Sequence, residues 1–300
     1  MVSAQKYILP PPNVENDGKR LDLQHLLWLL TLKGRLLNAP TRGNGPLHRV
    51  LDLGTGTGIW ATEFATKNPA TVVYGMDIFA PSPPEIPPNC KFIAGDVTAD
   101  WKRLAGLHSG QGCGSSEHFD FIHSRMLLLV CPNQDLIIQN CFDNLRPGGI
   151  VEFQEMCQPI RSDLPPECLD HSLLPVKWSH YAMSGTIALG VDCTYAEEKL
   201  EKALRQIGFV DIEIKKYRWP FGSWMANECQ SSDRERLRMM GDRCVQNLSL
   251  GLDGISKLPF TKGLQWEQKS VNSYVGKVRK TLGEGRLYVP VMVAWARRPH

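Results

Sequence analysis

The chain has 300 residues, enough for one large α/β domain or two small ones, with 42% hydrophobic and 22% charged residues. Those proportions exclude a disordered, collagenous or coiled-coil chain, and no apolar run reaches the roughly 18 to 20 residues that span a bilayer. Basic residues number 34 and acidic residues 31, a net charge of +3 with no long block of one sign, so no electrostatic footprint for nucleic acid is present.

The first residues lack the apolar core of a signal peptide, and the nine cysteines form no Cys-x-x-Cys pair. We therefore expect a soluble, cytoplasmic protein with reduced, mostly buried thiols and no zinc site. Residues 21–36 carry leucines at helical spacing, with Asn16 and Asp17 as capping candidates, which predicts an N-terminal helix. Residues 49–53 form a short apolar strand ending in glycines, 59–67 predict a helix, and 71–76 a second strand. A third strand is expected at 91–94, after a proline-rich stretch from Pro81 to Pro88 that suits neither strand nor helix interior. Four glycines and three serines within 106–116 predict a mobile surface loop before a fourth strand at 119–123. Residues 134–145 predict a helix stopped by Arg146-Pro147-Gly148-Gly149, a turn feeding a fifth strand at 150–154. Strands alternating with helices in this way announce a parallel sheet.

The second half is less regular. Residues 157–193 contain prolines and little periodicity and read as an inserted cap. Thr194 and Glu197 have capping-box spacing for a helix to about Gln206, with Gly208 as its stop, and 209–217 alternates as a strand. A second insertion at about 219–285 holds helical stretches near 233–247 and 266–282. Residues 287–297 form a β-rich run expected to lie antiparallel to its neighbour.

The chemistry is concentrated at Val50-Leu51-Asp52-Leu53-Gly54-Thr55-Gly56-Thr57-Gly58-Ile59-Trp60, a strand, a glycine turn and a helix start. Glycine lets the backbone turn sharply and approach a ligand, and a helix N-terminus presents free N–H groups. No Gly-Lys-Ser/Thr follows, so this is no Walker loop. The dinucleotide fingerprint Gly-x-Gly-x-x-Gly would need glycine at Ile59, and Asp52 precedes the first glycine by two positions. Both departures favour a cofactor without pyrophosphate but with an ammonium and a carboxylate, which S-adenosylmethionine has. Asp77 and Asp96 end the next two strands, and Asp77 lies close to the roughly 20-residue offset at which an acid accepts ribose hydroxyls. Ligands bind at the carboxyl ends of parallel strands, where the three carboxylates would converge.

At these residues the chain resembles class I methyltransferases, and more narrowly the fungal LaeA-like methyltransferases of secondary metabolism. The narrower likeness rests on Arg20-Leu21-Asp22-Leu23-Gln24-His25, the glycine loop, residues 119–128 (FDFIHSRMLL), 145–155 (LRPGGIVEFQE) and 288–299. It implies an α/β, Rossmann-like class I methyltransferase fold, with a seven-stranded, mostly parallel sheet in the order 3-2-1-4-5-7-6, helices on both faces and helical cap insertions. Residues 1–46 would be an N-terminal helical segment closing over the cofactor site, and 47–300 the methyltransferase domain with caps at about 157–193 and 219–285. By the same resemblance Gly54, Gly56 and Gly58, with Asp52 and Thr55, would border the methionine portion of S-adenosylmethionine. Asp77 would take the ribose, Asp96 and Val97 the adenine amine and edge, and Ile78 the adenine face. Ser124 and Arg125 would lie near the methyl group, Arg20 would meet the methionine carboxylate, and Tyr7 would close over the site. The chain has Phe153 where many LaeA-like chains carry histidine, so the family supplies no base at that point.

Methyl transfer from a sulfonium is an in-line displacement whose donor is already activated, so the protein chiefly aligns the reactants. A general base helps only where the acceptor is a hydroxyl or a protonated amine. His123 and Glu155, expected at strand ends facing the site, are candidate bases, together with His25 and with His180 in the first insertion. Trp178, Tyr181, Trp219, Phe221 and Trp224 give the insertions an aromatic content that suits an apolar or planar pocket or simple core packing. No His/Asp/Glu cluster has metal-ligand spacing. The expected activity is methylation of a small molecule at oxygen, with nitrogen or carbon as other acceptor atoms, by resemblance on a fungal secondary metabolite and without nucleic-acid or membrane partners. Two alternatives keep the fold. One is an enzyme using bound S-adenosylmethionine as fixed charge for a pericyclic or dehydration step; the other is a LaeA-like nuclear regulator acting through velvet-type partner proteins.

Overall fold

A computed structural model describes residues 15–41, 46–99, 101, 118–165 and 173–300. Its strands in chain order are β1 (Arg49–Leu53), β2 (Val72–Asp77), β3 (Cys90–Ala94), β4 (Phe119–Arg125), β5 (Leu145–Met156), β6 (Arg161–Ser162), β7 (Val210–Pro220) and β8 (Leu287–Arg297). In β1 the side chains of Leu51 and Leu53 enter one apolar layer and Val50 the opposite one, all fully buried. A strand covered on both faces belongs inside a parallel sheet, and β1 pairs in parallel with β2 and β4. The order is β3-β2-β1-β4-β5-β8, with β7 antiparallel on β8. This is the expected seven-strand order with one addition, the two-residue β6, which follows β5 along β8.

Three local expectations are corrected. Asn16 and Asp17 lie inside α1 (Glu15–Thr31) instead of capping it, and the helix ends before Lys33 and Gly34, which take φ of 53° and 81°. Leu32 and Leu36 prolong the leucine pattern past that point because they remain buried. The turn at 146–149 is a bulge within β5, since Phe119 pairs with Leu145 and Phe121 with Ile150. Thr194 gives its hydroxyl to Asp192 Oδ1 at 2.7 Å, so no capping box forms. The helix there divides into α5 (Tyr195–Glu198) and α6 (Leu200–Ile207), and α6 stops at Gly208, where φ is 108°. The loop expected at 106–116 lies outside the described residues.

The sheet is flanked by α2 (Ile59–Lys67), α3 (Gln134–Asn144) and α6, whose apolar residues pack on its two faces. The insertions build a third apolar cluster. The first contains α4 (Leu174–Ala188), and the second α7 (Trp224–Glu228), α8 (Arg234–Leu258), a π-helical turn (Pro259–Gly263) and α9 (Gln268–Lys280). Trp28, Trp178, Trp219, Phe260 and Val275 are buried together here, each such side chain stabilising the fold by about 1.5–3 kcal/mol. Helix α1 is part of this cluster. Its Trp28 meets Trp219 edge-on at 5.0 Å, Trp219 Nε1 donates to Thr31 Oγ1 at 2.7 Å, and Asn247 Nδ2 donates to the Arg20 carbonyl at 2.6 Å. Among the described residues no helix is long and apolar enough to cross a membrane.

Candidate functional site

After Leu53 the chain reverses through Gly54, Gly56 and Gly58, whose φ values of 63°, 58° and 80° are costly for any residue with a side chain. Asp77, ending β2, accepts the N–H of Gly56 at 3.0 Å and that of Phe79 at 3.3 Å, which ties the turn to the next strand. Burial pushes its carboxyl above the ordinary range and those amides pull it back. Asp52 braces the turn from beneath, taking the Thr55 hydroxyl at 2.6 Å on one oxygen and His123 Nδ1 at 2.7 Å on the other.

A cavity of about 610 Å³ is built over this turn, within the roughly 300–1,000 Å³ usual for small-molecule sites. Gly54, Gly56, Asp77, Ile78 and Val97 form its strand-end side, and Arg20, Leu21 and Gln24 of α1 form a second wall. Trp178, Met183, Trp219, Phe221, Cys244 and Ile255 form the cap side. The charged groups on the wall are few: Asp17 and Arg20, joined at 2.6 Å, and Asp77 and Arg125.

Residues 24–214 match the family model described as methyltransferase domain, more than half of the chain. The chain belongs to that methyltransferase family. It is 30% identical over 267 residues to methyltransferase pytC of Aspergillus terreus, covering 87% of this chain and 74% of that one. It is 28% identical over 303 residues to the secondary metabolism regulator LAE1 of Cochliobolus heterostrophus, covering 98% and 90%. To the protein-methionine methyltransferase laeA of Emericella nidulans it is 29% identical over 282 residues, covering 91% and 67%. Among solved structures, phosphoethanolamine N-methyltransferase 2 of Haemonchus contortus aligns with a TM-score of 0.43 and 14% identity, over 94% of this chain and 57% of that one. The sequence relatives place this methyltransferase in the LaeA-like fungal group that its motifs resemble, and its methyl donor is S-adenosylmethionine.

The wall of the methyltransferase cavity fits that donor. Gln24 is only 5% exposed and lines the cavity, and Oε1 of Gln158, also on the wall, is buried without a hydrogen-bond partner among the described residues. A buried polar atom without a partner is uncommon, so Gln158 calls for a ligand with polar groups of its own. Of the residues expected to hold the donor, Arg20, Gly54, Gly56, Asp77, Ile78, Val97 and Arg125 reach the wall. Asp52, Thr55, Gly58, Asp96 and Ser124 do not. Asp52 and Thr55 are bonded to each other beneath the turn. A Cβ at Gly58 would stand 2.6 Å from the Phe92 ring, so that glycine makes room for Phe92. Asp96 accepts the amide and hydroxyl of Thr98 at 2.8 and 2.6 Å. Ser124 is wholly buried beside Leu53 of β1. Tyr7 lies outside the described residues.

None of the four candidate bases lines the cavity. His123 is fully buried, with its ring flat on Trp60 at 3.8 Å, and burial lowers its pKa. Glu155 is fully buried too; its Oε1 accepts the N–H groups of Leu127 and Leu128 at 3.1 Å each, and burial pushes its pKa up to about 8. It holds in place the segment after β4 that walls the cavity. His25 joins Glu63 Oε2 through Nε2 at 2.7 Å and Arg125 Nη1 through Nδ1 at 2.9 Å. Burial and the Arg125 charge lower its pKa to about 4, so it is neutral at pH 7, with Nδ1 accepting from Arg125 and Nε2–H donating to Glu63. His180 is exposed on the outer side of α4. Of the five aromatic residues, Tyr181 packs with Trp266 and Tyr274, and Trp224 Nε1 donates to the Leu287 carbonyl at 2.9 Å; neither is on the wall.

Sequence reasoning missed Gln24, Gln158 and Asn247, all on the wall. For Gln24 a signal existed, because it follows Arg20 by one helical turn on the same face. Gln158 and Asn247 stand in irregular or inserted segments and offered none.

Proposed function

We propose that this methyltransferase moves a methyl group from S-adenosylmethionine to an oxygen of a small, largely apolar molecule. The observation that carries the reading is the single space joining Gly54 and Asp77 to Trp178, Trp219 and Phe221 of the cap. Bound S-adenosylmethionine supplies a methyl group already activated on a sulfonium. What the chain adds is alignment, worth roughly 7–11 kcal/mol in favourable cases. Asp77 takes the ribose hydroxyls, Ile78 and Val97 flank the adenine, the backbone at Gly54 and Gly56 approaches the methionine portion, and Arg20 meets its carboxylate. The cap, built by the insertions at about 157–193 and 219–285, shuts out water and holds the acceptor against aromatic walls. One relative is named for methylation of protein methionine. A space walled by α4, α8 and α1 favours a molecule that enters whole over a folded protein surface.

Titration calorimetry with S-adenosylmethionine and S-adenosylhomocysteine, followed by mass spectrometry of a metabolite extract incubated with deuteriomethyl donor, tests this reading. Binding and a labelled small product are expected. Tight binding without a labelled product, in an extract containing pathway intermediates, would refute it in favour of a sulfonium-assisted or regulatory role.

A further inference from the structure

Arg125 stands on the cavity wall as a cation without an ion-pair partner among the described residues. Its Nε donates to Gln154 Oε1 and its Nη1 to His25 Nδ1, both at 2.9 Å and both neutral groups. Its Nη2 is buried and has no hydrogen-bond partner. The carboxylates of Asp52, Glu152 and Glu63 act on it only through space, and burial lowers its pKa to about 10, which leaves it charged at neutral pH. A guanidinium withdrawn from water without a contacting anion is unfavourable, and an anionic ligand relieves that penalty.

The surroundings say which anion. Arg125 Cζ lies 5.9 Å from the centre of the Trp28 ring, and Trp28 in turn meets Trp219 of the cap wall. Arg20, by contrast, is already met by Asp17 at 2.6 Å, and its Cδ lies 2.7 Å from where a Cβ of Gly251 in α8 would stand. On the methyl-transfer reading above Arg20 takes the donor's carboxylate, which leaves Arg125 to the acceptor. Among the described residues the wall's charges cancel, Asp17 against Arg20 and Asp77 against Arg125. Bound S-adenosylmethionine adds one net positive charge, so an acceptor with one negative charge makes the filled cavity neutral.

We propose that the acceptor enters as an oxyanion, from a planar, apolar acid ionised at neutral pH such as a carboxylic acid or an acidic enol, and that Arg125 holds it; this rests on the methyl-transfer reading above. The acceptor's own electron pair makes the new C–O bond, the C–S pair returns to sulfur as a neutral thioether, and no proton is released. Such a reaction needs no base, and none of His25, His123, Glu155 and His180 lines the cavity.

The test is titration of the full chain, saturated with S-adenosylhomocysteine, with naphthoate, anthracenecarboxylate and pyrenecarboxylate, each against its neutral carboxamide. At least one acid should bind roughly tenfold or more tightly than its carboxamide, the scale of a charge-assisted hydrogen bond. Arg125→Gln should abolish that preference and leave the affinity for S-adenosylhomocysteine unchanged. Acids that never outbind their carboxamides would overturn the proposal. So would an Arg125→Gln chain that binds S-adenosylhomocysteine more weakly but its decarboxylated analogue as well as before, because Arg125 would then serve the donor's carboxylate. Where Arg125→Gln does not fold, the wild-type comparison of acid with carboxamide decides by itself. Failure of S-adenosylhomocysteine to bind the wild type would instead sink the methyl-transfer reading.

Discussion

His123 Nδ1 lies 2.7 Å from Asp52 Oδ1, and neither residue touches the cavity. Through Thr55 the pair fastens β4 to the glycine turn, a task for a neutral, immobile ring. His123→Ala is expected to cost about 2–4 kcal/mol of stability, from lost packing on Trp60 and a stranded carboxylate. Turnover per folded molecule and the midpoint of the pH–rate profile should stay at wild-type values. Urea denaturation and that profile check both points, and loss of a limb of the profile would return His123 to the reaction.

Asp77→Ala is expected to weaken S-adenosylmethionine binding by about 1.5–3 kcal/mol, or roughly ten- to 150-fold, as bonds to the ribose hydroxyls go. Asp77→Asn, which keeps an oxygen for the Gly56 amide, should fall between. Calorimetry on both variants measures the loss; unchanged affinity in a folded Asp77→Ala chain would remove the ribose assignment.

Glu155 gives stability a dependence on pH. Its carboxyl titrates at about 8 in the folded chain and near the ordinary 4.5 in the unfolded one. Between those values the unfolded chain gives up a proton that the folded chain keeps, so stability is greatest at the acid end and falls as pH rises towards 8. Glutamine does not ionise yet retains an oxygen for the Leu127 and Leu128 amides. Glu155→Gln should therefore match wild type near about pH 5 and exceed it near about pH 8 by on the order of a few kcal/mol. Urea midpoints at the two pH values decide; a constant difference between the proteins would refute the assignment.

Two glycines should respond in opposite directions to alanine. At Gly54, φ is 63° and a Cβ would stand 2.8 Å from Leu127 Cδ1, so Gly54→Ala should lose about 1–2 kcal/mol of stability and weaken donor binding. Gly18 lies within α1 with open space around its Cβ position, and Gly18→Ala should gain about 0.5–1 kcal/mol. Thermal melts of the two variants test the contrast.

The elements legible in the sequence were those whose residues answer to a single environment. β1, α2 and β8 occupy the predicted spans because a short apolar run between two layers, a helix after a glycine turn and a long β-rich run buried almost throughout each leave one pattern. Helix α4 left none. Its exposed side mixes Lys177, His180 and Ser184 with Tyr181 and Ile187, while the polar Ser179 and Thr186 are buried, so no clean polar stripe separates solvent from interior. Within the site, the strand-end positions of Asp77, Asp96 and His123 were visible, but their directions were not. Direction depends on long-range partners such as Trp60 for His123 and on local ones such as Thr98 for Asp96.

β8 separates β5 from β7 although it follows both in sequence. During synthesis, then, the five parallel strands emerge and can assemble while the flank of β5 is still bare, and β7 emerges with nothing to pair against. Of the sheet, the cap rests on β8, so until residues 287–297 have left the ribosome it has α1 to pack against but not that strand. The nascent chain passes through a stage with an open sheet edge, a surface prone to pairing with other chains. Recovery of soluble protein will therefore depend on how well that edge is shielded before translation ends.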